Sequence, residues 1–209
     1  VSNDYSFGLA KFCSDEFKSL AGNDGSILAE LNYNTGDQDF TAQLTAIKAQ
    51  NPAVIFAPGN YTESALIMKQ ARELGIKAQF LGGDTWETPE LIDVGKTAVE
   101  GCVFSTFFDA AGATSDLAKT FLAKYDEEYK KEPAAVTALG FDGYRLALDA
   151  MQRADSLDTT KIRDALAATK DFEGVAGNIT LDENGDATKS AFIKTVKDGK
   201  FSYLTIVNP

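Results

Sequence analysis

A chain of 209 residues, 44% hydrophobic and 24% charged, has the composition of an ordinary globular protein, with room for one large domain or two small ones. Its 20 basic residues stand against 31 acidic ones for a net charge of -11, which serves phosphate neutralisation poorly and argues against a nucleic-acid partner. Histidine is absent, so Ser-His-Asp and Cys-His catalysis and most transition-metal sites drop out.

No run of about 18 apolar residues suggests a membrane span. The first residues also lack the basic-then-apolar order of a signal peptide, so the chain reads as mature or as missing its start. Two cysteines, Cys13 and Cys102, leave a disulfide or a pair of buried thiols open.

From the amino terminus the pattern alternates. "NDYSFGLAKF" begins a helix of the kind that follows a strand. "SILAELNY" (26–33) reads as a strand, and "DFTAQLTAIKAQ" (39–50) sets Phe40, Leu44 and Ile47 on one helical face. "AVIFAPG" (53–59) is a continuous apolar run closed by Pro-Gly, as for a strand buried on both faces. "TESALIMKQARELG" (62–75) follows as a helix, with Thr62 as the expected N-cap and Gly75 as the expected C-cap. "AQFLGG" is a further strand, "TPELIDVGK" (88–96) a short helix with proline in its first turn, and "GCVFSTFF" (101–108) a strand. Strands and helices in alternation predict a parallel sheet wrapped by helices.

Beyond Phe108, three helices are predicted without a strand between them, over 115–131, 134–154 and 159–169. The final stretch returns to strands, with Asn184-Gly185 and Asp198-Gly199 as hairpin turns. The order is an α/β block, a helical excursion and a β return.

Several motifs carry little chemistry. "DENGD" (182–186) offers alternate oxygens, but Ala187 breaks the calcium-loop pattern, so a solvated turn is the reading. "GGD" after a strand is neither the three-glycine dinucleotide fingerprint nor a Gly-Lys-Ser/Thr loop. The strand ends say more. Ligands of open α/β sheets sit at the carboxyl ends of the strands. Tyr61 follows one such end, Asp84 and Trp86 follow another, and Tyr5 opens the first helix. An acid, two phenols and an indole on one rim would make a polar anchor with an aromatic wall. For Asp84 a helix cap or turn, and for the tyrosines partial burial, remain open as alternatives.

The segments "NDYSFGLA", "PGNYTESALIMKQARELGIKAQFLGGDTW", "EGCVFSTFF", "ALGFDGYRLALDAM" and "LAATKDFEGVAGNITLDENGDA" resemble, in order and spacing, the periplasmic leucine/isoleucine/valine binding proteins. These are the type I solute-binding receptors of ABC importers, and the resemblance covers essentially the whole chain. It implies a type I periplasmic-binding-protein fold, α/β, with two Rossmann-like lobes joined by three crossovers and closing on a ligand. On this mapping residues 1–106 and 191–209 form the second lobe without its first strand, and 109–187 the later helical part of the first lobe, whose amino-terminal section is absent.

The resemblance further implies a non-enzymatic, cofactor-free and metal-free receptor, periplasmic or extracellular, with a lipid anchor at the absent amino terminus as one possibility. It would bind a small amino acid, branched-chain, and deliver it to importer membrane subunits; a ligand-sensing module on the same scaffold is the alternative. The family's ligand-contacting tyrosines match Tyr5 and Tyr61, and its acid for the ligand's α-ammonium matches Asp84. Trp86, beside that acid, is a looser match as a contact for the ligand side chain. The serine and threonine contacts to the ligand carboxylate have no counterpart here.

Overall fold

The computed structural model describes residues 3–22 and 27–209. Contacts divide the chain into two compact units, Val1–Ser105 with Lys194–Ser202, and Thr106–Ile193 with Tyr203–Pro209. The last seven residues thus group with the second unit, where the Tyr203 ring lies 6.4 Å from that of Phe192.

The first unit opens with α1 (Asp4–Ala21), whose N-cap Asn3 accepts the Ser6 N–H and whose end is turned by Gly22 at φ 71. Residues 27–33, expected as a strand, pair with no strand among the described residues, and Ser26 lies outside them. A strand exists through its ladder, and apolar alternation without a partner does not make one. After α2 (Thr41–Gln50) come β1 (Val54–Phe56), α3 (Tyr61–Glu73), β2 (Gln79–Gly82), α4 (Pro89–Gly95) and β3 (Val103–Thr106).

These three strands run parallel, with Ile55 beside Phe80 and Leu81 beside Val103. The sheet continues through β7 (Ala191–Lys197) to β8 (Lys200–Val207), in the order β1-β2-β3-β7-β8. Asp198 and Gly199, at φ 53 and 69, turn β7 into β8 as a hairpin of this sequence should. The expectation that β1 is buried on both faces does not hold: Val54 is 48% exposed, because β1 pairs with β2 alone among the described residues and forms the sheet edge. The α3 helix starts two residues earlier than its sequence suggests, with Asn60 rather than Thr62 at the N-cap. Phe40, Leu44, Met68, Phe80, Trp86, Leu91 and Phe104 fill the core of this unit. Both cysteines are free thiols; Cys102 is buried in that core, whereas Cys13 is exposed on α1.

The second unit carries α5 (Asp116–Tyr129), α6 (Ala135–Ala154) and α7 (Thr159–Ala167). A small antiparallel sheet follows, of β4 (Phe172–Gly174), β5 (Gly177–Leu181) and β6 (Ala187–Thr188). Asp142 of α6 clamps the β4–β5 turn: its buried carboxylate accepts the Val175 and Ala176 N–H groups at 2.7 and 3.0 Å. The "DENGD" loop is a solvated hairpin turn in which Asp182 accepts N–H bonds from Asn184 and Asp186.

Candidate ligand-binding site

Parallel strands place the loops that follow them on one edge of the sheet, and β1 and β2 deliver two of the anticipated residues there. The loop after β1 makes a tight reversal, with the Gly59 N–H bonded to the Ala57 carbonyl at 2.8 Å. It then leads into α3, whose first residue is Tyr61. The loop after β2 passes through Gly83 into a single 3-10 turn, Asp84–Trp86. Tyr5, in the first turn of α1, reaches the same place.

Its phenol donates a hydrogen bond to Asp84 Oδ1 at 2.7 Å, across 79 residues of sequence. Gly83 makes that approach possible, since a Cβ there would sit 2.6 Å from the Tyr5 hydroxyl. Burial first, and the neighbouring Asp84 carboxylate second, push the Tyr5 phenol up to about 12, so it is a neutral donor at ordinary pH. Tyr5 nevertheless remains 37% exposed and Asp84 is half-buried, so the pair is open to a solute. An acid already holding one donor keeps lone pairs for a second, and an ammonium group is the donor that gains most from a carboxylate.

Tyr61 is half-buried and packs its ring against the core, at the head of α3 beside the loop that adjoins the Asp84 turn. Trp86 lies elsewhere than its sequence position suggests. It is fully buried, its ring pressed over Gly82 and 6.3 Å from that of Phe104, and its indole N–H donates to the Gly59 carbonyl at 3.2 Å. The structure therefore gathers Tyr5 and Asp84 into direct contact, sets Tyr61 on the adjoining loop, and puts the indole behind the rim.

Sequence reasoning did not find Thr85, whose hydroxyl also donates to the Gly59 carbonyl at 3.0 Å. Nor did it find the ion pair of Lys194 with Glu87 at 2.7 Å, which anchors the residue after the turn to β7. The Gly-Gly pair before Asp84 was the available signal, because adjacent glycines at a strand end mark close approach by other groups. Nothing local to Lys194 announced its distant partner.

The hydrogen-bonded acid and phenol thus sit at the carboxyl ends of parallel strands, where open α/β sheets take small ligands. A family model described as periplasmic binding protein matches residues 1–200, and the chain belongs to that family. It is 43% identical to a leucine binding protein LivK of Thermotoga maritima, with a TM-score of 0.89 over 99% of this chain and 58% of that one. The LivJ substrate-binding protein of Streptococcus pneumoniae, solved with isoleucine, gives 32% identity and a TM-score of 0.79 over 100% of this chain and 58% of that one. Among curated relatives, a Leu/Ile/Val-binding protein homolog of Brucella abortus is 30% identical over 175 residues, which cover 82% of this chain and 46% of that protein. The Leu/Ile/Val-binding protein BraC3 of Rhizobium johnstonii is 30% identical over 193 residues, 90% of this chain and 50% of that protein. The fold is thus that of the type I periplasmic binding proteins, and the chain spans about half the length of the curated relatives it matches.

Proposed function

We propose that the protein to which this chain belongs binds a small amino acid, of the branched-chain type, outside the cytoplasm and delivers it to an ABC importer without transforming it. The observation that carries this reading is the Tyr5–Asp84 contact at the carboxyl ends of the parallel strands. Asp84 takes the α-ammonium of the ligand; Tyr5 fixes the carboxylate's direction, and Tyr61 offers a ring or hydroxyl from the neighbouring loop. The names of the relatives, which speak of leucine, isoleucine and valine, support the ligand class. A single acid beside aromatic rings disfavours a ligand with a second carboxylate, which would meet like charge. The groups that neutralise the ligand's own carboxylate are assigned to the remainder of the protein, which also supplies the partner for the β1 edge.

The test is a calorimetric titration of the complete protein with leucine. Removing the charge of Asp84 leaves a cation unpaired, at a cost of about 2 to 5 kcal/mol. Asp84→Asn should therefore weaken binding by roughly thirty-fold to a few thousand-fold. A loss below about threefold contradicts the assignment.

A further inference from the structure

We propose that Thr85 and Trp86 are positioning residues for the Asp84 carboxylate, tying the loop that carries it to the loop that carries Tyr61 through one shared acceptor, the Gly59 carbonyl. The inference rests on the ligand-binding reading above and gives these two side chains a role in it: Thr85 also lies against the Tyr5 phenol, whereas the Trp86 indole is buried behind the rim.

Little holds the Asp84 turn by itself. A 3-10 turn of three residues contributes two backbone bonds, Trp86 N–H to the Gly83 carbonyl at 3.1 Å and Glu87 N–H to the Asp84 carbonyl at 3.0 Å. Such i to i+3 bonds have poorer geometry than those of an α-helix. The support comes from the two side chains that follow Asp84. The Thr85 hydroxyl and the Trp86 indole N–H both donate to Gly59, at 3.0 and 3.2 Å, and so use both lone pairs of one buried carbonyl. Gly59 is itself fixed by its N–H bond to Ala57.

The indole is packed into the core and fully buried. A Cβ built on Gly82 would lie 2.3 Å from the Trp86 ring, so the ring occupies the space that a larger residue would need. Beyond the turn, the Lys194–Glu87 pair holds the chain on its other side. Asp84 is thereby gripped from both flanks, while its own carboxylate remains free of the tie and bonds Tyr5. Holding a charged group in its productive direction before the ligand arrives lowers the ordering cost of binding.

The experiment uses the complete protein. Trp86→Phe keeps a ring in the core and deletes the N–H; Thr85→Val keeps the shape and deletes the hydroxyl. Each is expected to weaken leucine binding by about three- to ten-fold, the loss of one hydrogen bond's worth of ordering. In an Asp84→Asn background the same changes should shift affinity by less than about twofold, since no carboxylate remains to be misplaced. Losses that persist undiminished in that background, or singles that bind like the parent, overturn the proposal.

A second arm needs no ligand. In a tyrosine-labelled NMR titration, Trp86→Phe should lower the midpoint of the Tyr5 phenol, because losing the carboxylate that opposes its ionisation outweighs losing the smaller Thr85 contacts that favour it; an unchanged midpoint overturns the tie. If the parent binds none of the branched-chain amino acids, the ligand reading fails, and this titration still decides the tie. Should Trp86→Phe not fold, the Thr85→Val binding comparison decides it.

Discussion

Gly83 governs how close the phenol and the acid come, and its role is spatial rather than torsional. Its φ of -111 and ψ of -173 suit any residue, yet a Cβ would sit 2.6 Å from the Tyr5 hydroxyl and 3.2 Å from Leu9. Gly83→Ala should therefore displace the phenol and lose the Tyr5–Asp84 bond, at a cost of about 1 to 3 kcal/mol in the urea unfolding free energy. An unchanged midpoint would show that the ring has room to move. Tyr5 itself makes stability depend on pH. The unfolded phenol releases its proton near pH 10, whereas the folded one keeps it to about 12. Between those values the native state binds more protons than the unfolded one, so this contribution is intact below roughly pH 10 and is lost as pH rises. The parent should lose more stability than Tyr5→Phe between roughly pH 10 and pH 12; equal losses would contradict the coupling. The places of Tyr5, Tyr61 and Asp84 were legible in sequence because each lies at a helix start or just past a strand end. The Gly59 carbonyl was not, since a backbone acceptor carries no side-chain signature.

At the scale of elements, the helices and parallel strands were readable from periodicity and caps, with shifts of a residue or two at their ends. The short α4 matches its forecast, with Thr88 at the N-cap and Pro89 at the first position. Failures came where an element depends on a neighbour. The apolar run at 53–59 predicts a strand with two covered faces, but β1 is three residues long and lies at the sheet edge. The run at 26–33 has the alternation of a strand and no ladder among its described residues. The β4–β5 hairpin depends instead on a distant acid that periodicity hid: Asp142 sits inside α6, where a carboxylate reads as a surface residue. Asp142→Ala would strand two buried N–H groups, each costing about 1 to 3 kcal/mol. We expect a fall of about 2 to 4 kcal/mol in the unfolding free energy, measured in urea, with the β4–β5 amides losing hydrogen-exchange protection first. Protection that stays at the level of the remaining strands would contradict the clamp.

For the whole molecule, the order of an α/β block, a helical excursion and a β return was visible in the sequence, as was the family resemblance. The surface tells of a further requirement. Phe7, Phe12, Phe17 and Leu20 of α1 are exposed, as are Leu28, Leu31 and Val54, all in the first unit. Apolar residues in such number, in a unit whose β1 edge is unpaired among the described residues, favour pairing with another chain. We therefore expect residues 1–209 produced alone to self-associate by light scattering and to show no measurable affinity for leucine; a monomer that unfolds cooperatively and binds leucine would overturn this. Whether Asp84 receives the ammonium of an amino acid would be visible in a crystal structure of the complete protein with leucine. The ligand nitrogen should lie within about 3 Å of an Asp84 carboxylate oxygen, with the Tyr5 hydroxyl still on that carboxylate. A leucine bound with its ammonium on other groups, and Asp84 facing only water or Tyr5, would contradict it.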